Sequence, residues 1–210
     1  MTHHLTPPAA DAAALDAATA RFVARAQPDV AYAVVDSPIG VLVAAATPHG
    51  LVRLAYEDFN GGVDQVLATL ATKLSPRILE DPRRLDDVRR ELDEYFEGRR
   101  RDFDLPLDIR VAPFYADVLH ELALVPYGIT TTYGALAAKV GHPRAARAVG
   151  TVMNRNPIPI VLPCHRVIGA NAIPIVVPCH RVIGTSGKLT GYTGGMHRKE
   201  ALLRLEGIAV

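Results

Sequence analysis

The chain has two cysteines, Cys164 and Cys179, and both stand in the same context, Pro-Cys-His-Arg-Val-Ile-Gly. A thiol is a nucleophile only as thiolate, and an adjacent imidazole or cation favours that form over the free thiol, whose ordinary pKa is about 8.5. His165 with Arg166, and His180 with Arg181, supply both aids. The pattern points to a nucleophile and away from a small core hydrophobe. A thiolate that attacks a saturated carbon forms a thioether with no easy hydrolysis, so such a nucleophile need not turn over. Cys164, His165, Cys179 and His180 are also zinc-ligand types, but each pair is adjacent, whereas zinc sites space paired ligands by roughly two to four residues. The spacing speaks against a metal.

The two contexts belong to one fifteen-residue unit written twice. Residues 156–170 and 171–185 differ only at Pro157/Ala172, Leu162/Val177 and Ala170/Thr185. In each copy the stretch "IPIVLP" or "IPIVVP" reads as an apolar strand that delivers the cysteine.

The elements that must position these groups begin just upstream. Residues 113–128 place Phe114, Val118, Leu122 and Val125 at helical spacing and end at Pro126 and Gly128. Thr132 is a helix cap, with Leu136, Ala137 and Val140 as the core face behind it, Gly141 in the position of a left-handed stop and Pro143 in the first turn of the next helix. Two short helices joined by a three-residue turn predict a helix-turn-helix. The second helix has an apolar stripe of Ala145, Val149, Val152 and Met153. Its other face carries Arg144, Arg147, Thr151 and Arg155 with small residues Ala146, Ala148 and Gly150 between them, a surface that a nucleic acid can approach closely.

The charge distribution agrees. Net charge is +1, yet residues 1–110 hold 13 Lys and Arg against 18 Asp and Glu, and residues 111–210 hold 10 against 4. The C-terminal half is the candidate for a polyanionic partner. The N-terminal half reads differently: "YAVVD", "VLVAAA" and "LVRLAY", separated by turn signals, predict an antiparallel meander over 32–56. Helical spacing follows at 63–74 and 85–98, the second with Leu85, Val88, Leu92 and Phe96 on one face and Gly98 as its stop. Residues 99–112 read as a linker. The expected fold is α+β: an extension over 1–30, a small N-terminal α/β domain with antiparallel strands over 31–108, and a mostly helical domain over 109–210 with a winged-helix-like helix-turn-helix carrying the active-site cysteine. No apolar run approaches membrane-span length, and no signal-peptide pattern opens the chain, so a cytoplasmic monomer is expected.

With these residues assembled, the chain resembles the O6-alkylguanine-DNA alkyltransferase family from about residue 31 to Glu206. The specific motifs are "VPYGITTTYGALAAKVGHPRAARAVG", "NP", "PCHRVIG" and "GKLTGYTGGMHRKEALLRLEG", present together and in order. The resemblance implies stoichiometric transfer of an alkyl group from O6-alkylguanine, and from O4-alkylthymine, in double-stranded DNA to the cysteine of PCHR, with no cofactor or metal. It implies that His165 or His180 relays the thiol proton through water, that Glu206 orients this histidine, and that Asn156 or Asn171 is the hinge before the active site. Arg147 matches the arginine that enters the duplex in place of the extruded nucleotide, with Arg144, Ala146 and Gly150 on the same surface. Tyr133 matches the tyrosine that crowds the target phosphate and assists the leaving base, and Tyr192 and Thr193 match the wall of the base pocket. The chain departs from the family in lacking tryptophan before "PYG" and in carrying PCHR twice.

Copy one continues from the recognition helix with Asn156-Pro157, and copy two runs into "TSGKLTGYTGG". Cys164 is favoured as the nucleophile, because an insert at 170–184 then extends a turn, where added residues are best tolerated. Cys179 requires the insert to separate helix from nucleophile. Two other functions compete with repair. A damage sensor that flips the base but transfers poorly is disfavoured by the retained cysteines, and a cysteine hydrolase leaves the helix-turn-helix without a role.

Overall fold

Three apolar runs broken by turn residues form the strands β1 (Val30–Val35), β2 (Leu42–Thr47) and β3 (Gly50–Tyr56) in a computed structural model that describes residues 28–168, 192 and 194–210. The predicted extension falls almost entirely outside the described residues, as do Asn171, Cys179, His180, Thr193 and the whole second copy of the repeat. The meander is antiparallel, β1 to β2 and β2 to β3. A strand that the sequence reading missed, β4 (Ile78–Glu80), lies parallel to β1, so the sheet order is β3-β2-β1-β4.

Both faces of this sheet are covered, which is why Leu42, Val43, Ala44 and Ala45 are buried in succession instead of alternately. On one face α1 (Val63–Lys73) sets Val66 and Leu70 against Val30, Val43, Ala45, Val52 and Ala55. On the other, α2 (Asp86–Phe96) contributes Val88, Leu92 and Tyr95 to a core that runs on without a break into the helical half. The fully buried aromatic of α2 is Tyr95; Phe96, predicted for that face, is only partly buried.

Residues 99–112 are not a solvated linker. Leu51 donates its N–H to Pro106 O (2.8 Å) and accepts from Asp108 N (2.9 Å), so the segment runs along the open edge of β3. Its Phe103, Leu105, Leu107, Ile109 and Val111 pack on the core. An uncovered strand edge exposes a row of unpaired backbone groups, and this segment closes part of it. Gly50 permits the approach: it has φ +141°, and a Cβ there would sit 2.3 Å from Pro106 O.

The helical half comprises α3 (Pro113–Ala123), the two-residue strand β5 (Thr131–Thr132), α4 (Tyr133–Lys139), α5 (Ala146–Asn154), the two-residue strand β6 (Val167–Ile168) and α6 (Met196–Leu205). β5 and β6 pair in parallel. Thr132 caps α4 as predicted, accepting Ala135 N–H at 3.1 Å, and Gly141 has φ +77°. The turn of the helix-turn-helix is longer than predicted. Six residues, 140–145, separate α4 from α5, and Pro143 lies in that turn instead of in the helix. Ala145 donates to His142 O (2.8 Å) and stands at the N-cap, so the buried stripe of α5 is Val149, Val152 and Met153 alone.

Candidate active site

The stretch predicted as a strand, "IPIVLP", folds back on itself. Asn156 closes it from both ends: its Oδ1 accepts Ile158 N–H (3.0 Å) and its Nδ2 donates to Leu162 O (2.9 Å). Leu162 N–H also returns to Ile158 O (2.9 Å), and Ile160 takes φ +75°, a conformation that β-branched residues rarely adopt. Burial of Ile158, Ile160 and Leu162 holds the loop in this state. The apolar run predicted a strand, but prolines at 157, 159 and 163 remove donors that a ladder needs. The loop is anchored to the sheet where Leu54 of β3 donates to Pro157 O (3.0 Å).

This loop ends in a single 3-10 turn, Cys164–Arg166. Cys164 is a free thiol with no exposed surface, and His165 is equally buried. His165 Nε2 lies 2.8 Å from Oε1 of Glu206, the residue that ends α6. Arg166 grips the same carboxylate with Nη2 and Nε at 2.8 and 3.0 Å from Oε1 and Nε at 2.9 Å from Oε2. Tyr95 OH donates to Oε1 (2.8 Å) and Gly128 N–H to Oε2 (3.2 Å).

Burial by itself raises the pKa of Glu206, but the hydrogen bonds from His165 and Arg166 outweigh it and hold the carboxyl at about 2. Burial pushes His165 the other way, below its ordinary value, more strongly than Glu206 pulls it up. At neutral pH the pair is therefore carboxylate and neutral imidazole. A carboxylate only accepts hydrogen bonds, so the single imidazole proton sits on Nε2 and Nδ1 carries a lone pair. Nδ1 is buried and has no hydrogen-bond partner among the described residues. The residue next to the thiol thus offers a bare, oriented base.

The other predicted residues are distributed as follows. Tyr133 opens α4 and is partly buried against the core. Arg144 lies in the turn before α5 and Arg147 on its first turn, both exposed, as is Arg155. Among the described residues none of the three forms an ion pair, whereas most arginines of the N-terminal half do. Ala146 and Gly150 are half-buried on the same helix, and a Cβ at Gly150 meets nothing within 4 Å, so the surface there is open. Tyr192 is fully buried, with its hydroxyl 2.8 Å from that of Tyr56 on β3. Gly194 has no room for a side chain, since a Cβ would lie 2.6 Å from the Tyr56 ring.

The sequence reading noted Arg166 only as a cation beside the cysteine and Gly128 only as a helix end, and it gave Tyr95 and Arg198 no role. Arg198 is buried and joins the halves: it lies over the Tyr56 ring and donates to Ile39 O (2.6 Å), Gly194 O (2.8 Å) and Asp58 Oδ2 (2.9 Å). Arg166 carried a local signal, its place in the repeated motif; Tyr95 and Arg198 looked like ordinary residues of amphipathic helices.

Fold and site together define a helix-turn-helix domain that holds a buried cysteine-histidine-glutamate array, backed by a small mixed sheet. The chain belongs to the 6-O-methylguanine DNA methyltransferase family: the family's ribonuclease-like domain matches residues 30–109 and its DNA-binding domain matches 113–172 and again 168–208. The methylated-DNA-protein-cysteine methyltransferase of Mycolicibacterium paratuberculosis is 41% identical over 177 residues, covering 84% of this chain and 92% of the relative. That of Methanosarcina acetivorans is 39% identical over 176 residues, with 84% and 97% covered. Among solved structures, the O6-methylguanine methyltransferase of Mycobacterium tuberculosis superposes with a TM-score of 0.68 at 38% identity, covering 86% of this chain and 95% of that one. OGT of the same organism in complex with DNA gives 0.65 at 39% identity, with 84% and 92% covered.

Proposed function

We propose that this protein repairs alkylated double-stranded DNA directly, taking the alkyl group of O6-alkylguanine, and of O4-alkylthymine, onto Cys164 in a single turnover. The observation that carries the reading is the 2.8 Å contact between His165 Nε2 and Glu206, which leaves Nδ1, on the residue that follows Cys164, without a hydrogen-bond partner among the described residues. The thiol proton passes through water to the imidazole, and sulfur attacks the alkyl carbon from the side opposite O6. A carbon-sulfur bond forms as the carbon-oxygen bond breaks, and the base leaves after gaining a proton, with Tyr133 assisting at that end. The product thioether has no route back to thiol, so one molecule repairs one lesion.

The reacting carbon lies inside the base stack, so the nucleotide must be flipped out at a cost of roughly a few kcal/mol. Arg147 fills the vacated position, and the open surface over Ala146 and Gly150 lets α5 seat in the groove. Arg144 contacts the backbone, while Tyr192 and Thr193 wall the base pocket. Residues 31–108 and 109–210 act as the two domains, the first buttressing the second through the shared core.

The repeat is read as one working copy and one displaced copy. Support for Cys164 as the working copy is the closed hydrogen-bond set around it: the Asn156 clamp on one side, and His165 and Arg166 on Glu206 on the other. The family's DNA-binding domain matches in two overlapping pieces, 113–172 and 168–208, and each holds one PCHR motif, which fits two copies competing for one place. On this reading Cys179 and His180 are spare copies of the nucleophile and its base.

Incubation with an O6-methylguanine duplex followed by intact-mass and peptide mass spectrometry tests the proposal. One methyl adduct on Cys164 is expected, abolished by Cys164→Ser and spared by Cys179→Ser. Methyl on Cys179 alone reverses the assignment of the copies. Duplex binding with no adduct overturns alkyl transfer in favour of a damage sensor.

A further inference from the structure

Tyr95 comes from the N-terminal half, yet its hydroxyl lies 2.8 Å from Oε1 of Glu206, 111 residues away. The ring is fully buried, tilted against Phe103 (centroids 5.2 Å apart) and edge-on to Tyr127 (6.2 Å), so the hydroxyl has a fixed aim. The oxygen it reaches is the one that takes His165 Nε2–H and Arg166 Nη2–H, both at 2.8 Å. Burial, then the charge of Glu206, pushes the Tyr95 pKa far above its ordinary value, so the hydroxyl is a permanent donor. The titratable groups around the His165–Glu206 pair come from four elements: His165 and Arg166 of the 3-10 turn, Lys199 of α6, Tyr127 of the loop after α3, and Tyr95 of α2.

We infer that Tyr95 is a positioning residue for proton transfer from Cys164: its hydroxyl fixes Oε1 of Glu206 against His165 and, by drawing charge from that oxygen, favours the neutral imidazole with Nδ1 bare. The inference rests on the alkyl-transfer reading. A carboxylate relieved of this donor presents more charge to Nε2–H and stabilises the imidazolium, so His165 titrates at a higher pH. It also gains freedom to turn within the Arg166 clamp, and the imidazole loses part of its orientation. The N-terminal half thereby takes part in the chemistry, through one hydroxyl, without touching DNA or substrate.

The test uses the full chain with Tyr95→Phe, which keeps the buried ring. Transfer from free O6-benzylguanine is followed against pH, and the His165 nitrogens are titrated by NMR. Expected are a rate lower by about tenfold at pH 7, the kinetic counterpart of one hydrogen bond to a charged group; an acid limb and a His165 titration that both move to higher pH; and duplex affinity within about twofold of the parent. In a Glu206→Gln background Tyr95→Phe should cost almost nothing further, because the hydroxyl acts only through that carboxylate. An unmoved His165 titration, or fully additive losses in the double variant, overturns the inference. The NMR arm needs no substrate, so a parent protein that accepts no alkyl group sinks the alkyl-transfer reading while the hydroxyl's hold on the imidazole is still measured. Should Tyr95→Phe not fold, the parent spectrum decides. A protected Tyr95 hydroxyl proton with His165 protonated on Nε2 is expected, and a freely exchanging hydroxyl or the opposite tautomer refutes it.

Discussion

Replacing Glu206 by glutamine keeps the shape of the side chain and removes its charge, and the structure gives the size of the effect by two routes. The carboxylate is the partner of Arg166, which is 4% exposed. Removing one member of a buried ion pair leaves the other uncompensated, at about 3–5 kcal/mol. The second route is the carboxyl's pKa, about 2 in place of 4.5. At roughly 1.4 kcal/mol per decade this is about 3 kcal/mol of stability at neutral pH. The two agree, so Glu206→Gln is expected to lose about 3–4 kcal/mol in urea unfolding at pH 7. The pH dependence has a definite sign. Above pH 4.5 folded and unfolded chains both carry the carboxylate and the advantage is complete; as pH falls toward about 2 the unfolded chain is protonated first and the advantage is lost. The gap between parent and variant should therefore close over that interval. Glutamine also presents an amide in place of an obligate acceptor, so Nε2–H is no longer enforced and methyl transfer should slow more than duplex binding weakens. A variant within about 1 kcal/mol of the parent at pH 7, with unchanged transfer rate, refutes both the buried pair and the relay built on it.

Arg147→Ala should slow repair of duplex DNA but leave reaction with free O6-benzylguanine intact, and the salt slope of duplex affinity should fall by about one counterion; equal duplex rates remove Arg147 from its role. Asn156→Ala leaves Ile158 N–H and Leu162 O unpaired in a buried loop, so a loss of about 2–3 kcal/mol in chemical denaturation is expected, with transfer slowed as the cysteine loses its fixed position. Below pH 6.5 transfer should decline only slowly, because burial holds the His165 pKa under its ordinary value; a pH-rate profile with its midpoint above 6.5 contradicts this. Deleting 171–185 restores a single PCHR motif with Asn156 and Cys164 intact, and should raise thermal stability and transfer yield together; a less stable or inactive deletion shows that the second copy is part of the fold.

The sequence by itself determined the classes of element and the kind of chemistry. Apolar spacing marked the three-strand meander, both long helices of the N-terminal half and the helices of the helix-turn-helix, because burial of one face imposes a period that survives in the residue order. Cysteine beside histidine and arginine pointed to a nucleophile, and the family resemblance paired that histidine with Glu206, a contact that the structure contains. Periodicity says which face is buried but not which buried polar group meets which. Tyr95 and Glu206, 111 residues apart, meet only because α2 and α6 end against the same stretch of core. The tertiary structure likewise decided that "IPIVLP" is a clamped loop instead of a strand, since prolines deny it a ladder and Asn156 supplies the missing partners. It also decided that residues 99–112 lie on the edge of β3, whose open hydrogen-bonding groups require cover that only a distant segment supplies. Hydrogen bonds between residues far apart in the chain follow from the packing that brings them together, and residue order records that packing only as a pattern of apolar positions.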